Sequence, residues 1–170
     1  MNFEYAHLIP EDFHPQSKVW IYQSSRLFFI SEALEIEEIL NNFVDNWKSH
    51  GAPVKGYANL LFGQFIVLIA DETNTTVGGC STDASVHIIQ QIEATFKVDM
   101  FNRQNLAFVV KDTIQTLPLA QLKYGFENGF LNAETLYLNN LVATKHDLLN
   151  HWIIPVKESW LSAKMPQAII

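Results

Sequence analysis

Cysteine occurs once in this chain of 170 residues, at Cys80, so no internal disulfide can form. A free thiol suits a reducing compartment, and the sequence reads as cytoplasmic. Basic residues are scarce as well: eleven Lys and Arg stand against eighteen Asp and Glu, a formal net charge of −7, and the lysines are scattered. That distribution lacks the electrostatic footprint that nucleic-acid binding needs. Long apolar runs are also missing. The longest, such as Phe65 to Ala70, are too short to span a bilayer, and no basic amphipathic segment suggests surface attachment. The opening MNFEYAHLIPEDFHP carries Glu4, Glu11 and Asp12 without a basic start, so no secretory leader is expected.

Several chemical motifs are absent too. Gly51-Ala-Pro-Val-Lys-Gly56 has the glycine spacing of a P-loop, but Tyr57 and Ala58 stand where Lys and Ser or Thr must reach phosphate and Mg²⁺. Pro53 removes a further amide. No G-x-G-x-x-G, G-x-S-x-G or H-E-x-x-H pattern occurs, and no cofactor or metal site is expected.

What is present is a chain 48% apolar, enough to bury a core without staples. Lys18 to Tyr22 has the β-branched and aromatic content of a strand. From Ser31, Ile36, Ile39, Leu40, Phe43, Val44 and Trp47 follow helical spacing, with Ser31 as the expected N-cap and Glu32 and Glu35 near the positive dipole end. His50-Gly51 is expected to stop that helix. Lys55 to Phe62 and Gln64 to Ala70 read as a hairpin joined at Gly63, the second run being apolar enough for a central strand. Ser85, Ile88, Ile89, Ile92 and Phe96 share one helical face, and Leu106 to Val110 is another strand.

Strand, helix, strand, strand, helix, strand is the order of a ferredoxin-like, split β-α-β fold. The expected class is therefore α+β: a two-layer core over 18–110, preceded by an N-terminal extension, 1–17, and followed by a small α/β extension, 111–170. In that extension the sequence predicts a turn at Lys111 to Thr113, a strand over Ile114 to Leu117, a helix from Pro118 to Gly129, and a strand over Thr135 to Leu138. A last helix is capped by Thr144 with Asp147. Ile153 to Ile170 reads as irregular chain, with Trp152 and Trp160 as core or interface aromatics.

Reading the first and third strands as parallel brings their C-terminal ends together, and this defines the candidate site. Gln23, Ser24 and Arg26 would then meet Asp71, Glu72, Gly79, Cys80, Ser81 and Asp83. Cys80, at or just before a helix N-terminus, would feel backbone amides that favour thiolate, with Arg26 adding to this. The plainer reading is a tight turn, Gly78-Gly79-Cys80, where only small residues fit. Cys80, Asp83 and His87 have i, i+3, i+7 spacing, but no further ligands complete a four-ligand zinc site.

The segments VWIYQSSR, FVDNWKSHG, FIVLIADE, GGCSTDASVHII, LYLNNLVATK and IIPVKESW together resemble an uncharacterised bacterial family commonly labelled "ABC transporter ATPase". The resemblance covers most of the chain after about Lys18. It implies family membership, while the missing Walker A elements argue against the activity in the label. LPLAQLKYGFENGFLNAETLYL is similar to part of the small GYF-type peptide-binding modules, which implies an interaction surface; the aromatic motif that forms their groove is not present. The functional expectation is a binding or assembly module, self-associating or engaging a protein partner. The alternatives are a thiol-dependent enzyme using Cys80 and a small-ligand binder using the same pocket.

Overall fold

The computed structural model describes residues 2–73 and 79–166, with side chains from Thr82 onward in the second stretch. The chain is α+β. Its organising element is the apolar run Phe65–Asp71, strand β5, buried at every position. A strand buried on both faces needs neighbours on both sides and layers above and below. β1 (Lys18–Gln23) and β4 (Lys55–Leu61) supply the neighbours, and the sheet order is β1-β5-β4. Alternate residues of β5 serve two cores. Ile66 and Leu68 meet Ile36 and Leu40 of helix α1 (Ile30–Asn46) and Ile89 and Ile92 of α2 (Gly79–Phe96). Phe65, Val67 and Ile69 face Leu138, Leu148 and Trp152 from the C-terminal half, together with Tyr5, Ile9 and Phe13.

Two expectations about this sheet need correction. Both pairings are antiparallel, with Lys18 opposite Ala70 and Gln23 opposite Phe65, so the first and third strands of the core do not run parallel. The sixth strand, β6 (Asn105–Val110), also leaves the sheet and pairs with β7 (Thr113–Pro118) and β8 (Leu136–Leu138). β9 (Ile153–Pro155) completes this second antiparallel sheet, so part of the segment read as irregular is a strand. Its side chains explain the miss: Ile153-Ile154-Pro155 is too short to show a period.

The β4–β5 hairpin forms as expected, through a turn closed by the Gln64 amide donating to the Leu61 carbonyl at 3.1 Å. Phe62 (φ 54°) and Gly63 (φ 66°) both take left-handed backbone, as a type I′ turn requires. His50 (φ 49°) and Gly51 (φ 82°) form a second such turn, joining two-residue strands β2 (Lys48–Ser49) and β3 (Ala52–Pro53). These two residues therefore make a hairpin rather than a helix stop. Gly51 to Gly56 accordingly run through strand and lead into β4, with no helix after them to cradle phosphate.

The N-terminal segment is fastened to the C-terminal half. Lys145, 6% exposed, opens helix α4 (Lys145–His151), which follows the short helix α3 (Leu122–Glu127), and donates from Nζ to the carbonyls of Glu11 (3.0 Å) and Phe13 (2.7 Å). Two carbonyls replace part of the water that a buried ammonium loses. Thr144 caps α4 as expected, accepting from the Asp147 amide at 3.1 Å.

Candidate functional site

The residues expected to converge lie at two ends of the first sheet. Five residue steps separate the Lys18 and Gln23 ends of β1, roughly 17 Å at ordinary strand rise. Asp71 and Glu72 lie at the Lys18 end. Asp71, 3% exposed, accepts from the His14 amide (3.0 Å) and from the amide (2.9 Å) and hydroxyl of Thr73, with Lys55 Nζ at 3.6 Å. Burial by itself would raise its pKa; the Thr73 hydroxyl, the two amides and the Lys55 charge outweigh that and hold it at about 2. Glu72 pairs with Lys18 at 2.8 Å. Both carboxylates are bound into the frame.

At the other end Ser24 is fully buried, its amide donating to the Gln64 carbonyl (2.8 Å) and its carbonyl accepting from Gln64 Nε2 (3.0 Å). Arg26 is equally committed. Its guanidinium forks onto Glu32 at 2.8 and 2.9 Å and donates to the carbonyls of Leu27 and Phe96, both at 3.0 Å. Glu32 Oε2 in turn accepts from the Phe29 amide at 2.8 Å, so the N-cap of α1 is Phe29 served by Glu32, and not Ser31. The Arg26 fork, helped by the Phe29 amide and against the opposing effect of desolvation, lowers the Glu32 pKa to about 2.

Arg26 therefore touches the last residue of α2. Cys80 lies in the first turn of that helix, about 24 Å away at 1.5 Å per residue. The guanidinium cannot act on the thiol at that range. Cys80 is inside the helix rather than before it; the side chains of Cys80 and Ser81, and Gly78 entirely, lie outside the described residues. Asp83 and His87 are exposed on α2. Among the described residues, no three of His, Cys, Asp and Glu converge as a metal site.

Of the expected site residues, Gln23 alone lines the cleft between the two sheets. That cleft has a cavity volume of about 60 Å³, room for about two waters or one carboxylate-sized group. Gln23 Oε1 accepts from Asn140 Nδ2 (2.9 Å), Gln23 Nε2 donates to the Asn105 carbonyl (3.2 Å), and Asn140 Oδ1 accepts from Trp152 Nε1 (3.0 Å). This chain of amides fixes which atoms face the opening. Arg103 borders it without a carboxylate partner among the described residues, beside Phe101 and the 39%-exposed Trp160. Trp160 Nε1 donates to the Tyr137 hydroxyl at 3.3 Å. Burial pushes the Tyr137 phenol up, against a smaller lowering by Trp160, so it stays a neutral donor.

Among the described residues, no Cys, His, Ser, Lys, Asp or Glu lines the cleft. A guanidinium, amides and aromatic edges suit an anionic planar group. Sequence reasoning missed Asn102, Arg103, Asn105 and Asn140 because they converge only through the second sheet. The available signal was FNRQN, a polar cluster between a helix and a strand. Comparisons with protein-family models, curated proteins and solved structures return no match to this chain.

Proposed function

We propose that this protein is a binding module and not an enzyme, and that its ligand enters the cleft between the two sheets with a carboxylate toward Arg103. The observation that carries this reading is the cleft's chemistry: among the described residues, one guanidinium without a carboxylate partner and several amides, with no Cys, His, Ser, Lys, Asp or Glu. Arg103 would take the carboxylate as a fork, and Phe101 and Trp160 would flank an attached ring or side chain. A free small molecule and the C-terminus of a partner chain share that chemistry.

We read the first sheet and its helices as a ferredoxin-like, split β-α-β core whose last strand has been taken into the second sheet. The order β1-β5-β4, with α1 and α2 on one face, supports this. The family resemblance is retained as sequence similarity without its ATPase label. Against an NTPase stand Tyr57 and Ala58 in β4, at the positions that would carry phosphate-binding groups.

The test uses protein-observed NMR with hippurate, which combines carboxylate, amide and ring, and benzamide as the neutral control. Hippurate should shift signals from residues 101–105 and 137–141 and the Trp160 indole, and Arg103→Gln should weaken binding at least tenfold, the usual worth of a charged hydrogen bond. Equal response to benzamide, or shifts confined to other residues, would overturn the reading.

A further inference from the structure

β4 pairs with β5 on one side only, and no strand lies on its other side among the described residues. Sheet edges are ordinarily protected by proline, a bulge, inward charge or short length. β4 has none of these along its middle. Its register runs through seven consecutive pairs, from Lys55 opposite Asp71 to Leu61 opposite Phe65, and Lys55, at its first position, is its only charged residue. Helix α1 packs on this strand, and between them runs a groove of about 250 Å³.

The strand's wall of that groove is backbone. Gly56, Tyr57, Ala58 and Asn59 all line it, although adjacent side chains of a strand point to opposite faces. Four consecutive residues border one groove when the strand's edge, with its amides and carbonyls, is the surface exposed. The opposite wall is acidic. Glu37 and Asp45 of α1 line it, and neither is ion-paired among the described residues. These carboxylates are eight residues apart on the helix, about 12 Å. Residues four apart on one face of an added strand are about 13 Å apart, a close match.

From this juxtaposition we propose that the β4 edge takes an extended basic peptide segment as an added strand, with two lysines or arginines four residues apart directed at Glu37 and Asp45. Backbone hydrogen bonds to β4 supply the pairing, and the α1 carboxylates select for positive charge. A second copy of this chain fits poorly. Pairing β4 with β4 of another protomer about a two-fold axis sets two acidic α1 helices side by side, at a cost in like-charge repulsion. This site shares no lining residue with the cleft between the sheets, so either can fail without the other.

The probe is an acetylated and amidated peptide of alternating threonine and valine with lysines at its third and seventh positions, titrated into the full chain in low salt. Amide hydrogen exchange is followed in parallel. Binding should slow exchange at alternate residues of β4 and leave β7 unchanged. Glu37→Lys with Asp45→Lys, both exposed positions, should weaken binding about tenfold, as expected for two surface ion pairs. A peptide with lysine replaced by glutamate, or one N-methylated along one edge, should not bind. The proposal is overturned by no binding of the lysine peptide, by protection elsewhere than β4, or by equal binding of the methylated peptide. Concentration-dependent protection of β4 without any peptide would assign the edge to a second copy instead.

Discussion

At Asp71, burial and hydrogen bonding pull the pKa in opposite directions, and hydrogen bonding wins. A carboxyl whose folded pKa is about 2, against about 3.8 unfolded, stabilises the fold fully above the unfolded value. The stability is lost as pH falls from about 4 to about 2. Its size is about 2 kcal/mol, from 1.36 kcal/mol per pKa unit. Asp71→Asn should therefore be less stable than the parent by about that amount at pH 7, and the difference should shrink toward pH 2. Chemical unfolding of both proteins across that range checks it, and a difference independent of pH would contradict the assignment. Lys145 is the second residue of consequence. Lys145→Met keeps volume but removes both bonds to the N-terminal carbonyls, and should cost about 2–4 kcal/mol. The N-terminal segment should then become accessible to limited proteolysis.

Among the elements, the β4–β5 hairpin shows how packing overrides local preference. Phe62 holds a left-handed backbone that suits asparagine or glycine, yet its ring stacks on Trp152 at 5.6 Å and meets Tyr5 edge-on at 6.2 Å. Phe62→Asn relieves the backbone and removes the ring contacts. The net change should be a loss of about 1–2 kcal/mol, since stacking plus apolar burial exceeds the strain at one residue. A stabilised Phe62→Asn variant would show that the backbone term dominates. Gly56 makes the complementary case, where space and not conformation decides: an added Cβ would stand 2.6 Å from Trp47 Cε3. Gly56→Ala should cost about 1–3 kcal/mol through overpacking of that ring, read as a lowered unfolding midpoint.

The elements also show what could be read in the residues. The hairpin, the buried face of α2 and the Thr144 cap were legible because apolar period and capping chemistry are local. Strand direction was not. Nothing in Lys18 to Gln23 distinguishes a parallel from an antiparallel neighbour, and that single choice decides whether Arg26 lies near Cys80 or at the far end of α2. Ser31 looked like the cap of α1 because the rival arrangement, Glu32 reaching back to the Phe29 amide under the Arg26 fork, depends on a guanidinium delivered by a preceding loop.

For the molecule as a whole, β5 sits between two helices on one face and the second sheet with the N-terminal segment on the other. Residues of both sheets line the cleft, and Gln23 from the first sheet and Asn140 from the segment after β8 meet across it at 2.9 Å. Cys80 lies in the first turn of α2, and the cleft lining resumes at Met100, just beyond that helix's other end. Thiol chemistry at Cys80 and binding in the cleft are therefore spatially separate. The most direct measurement is a side-by-side hippurate titration of the parent, Cys80→Ser and Arg103→Gln, followed by tryptophan fluorescence at constant ionic strength. Cys80→Ser should bind as the parent does, and Arg103→Gln should bind at least tenfold more weakly. Loss of binding in Cys80→Ser with Arg103→Gln unaffected would contradict the assignment of the cleft and return the function to the start of α2.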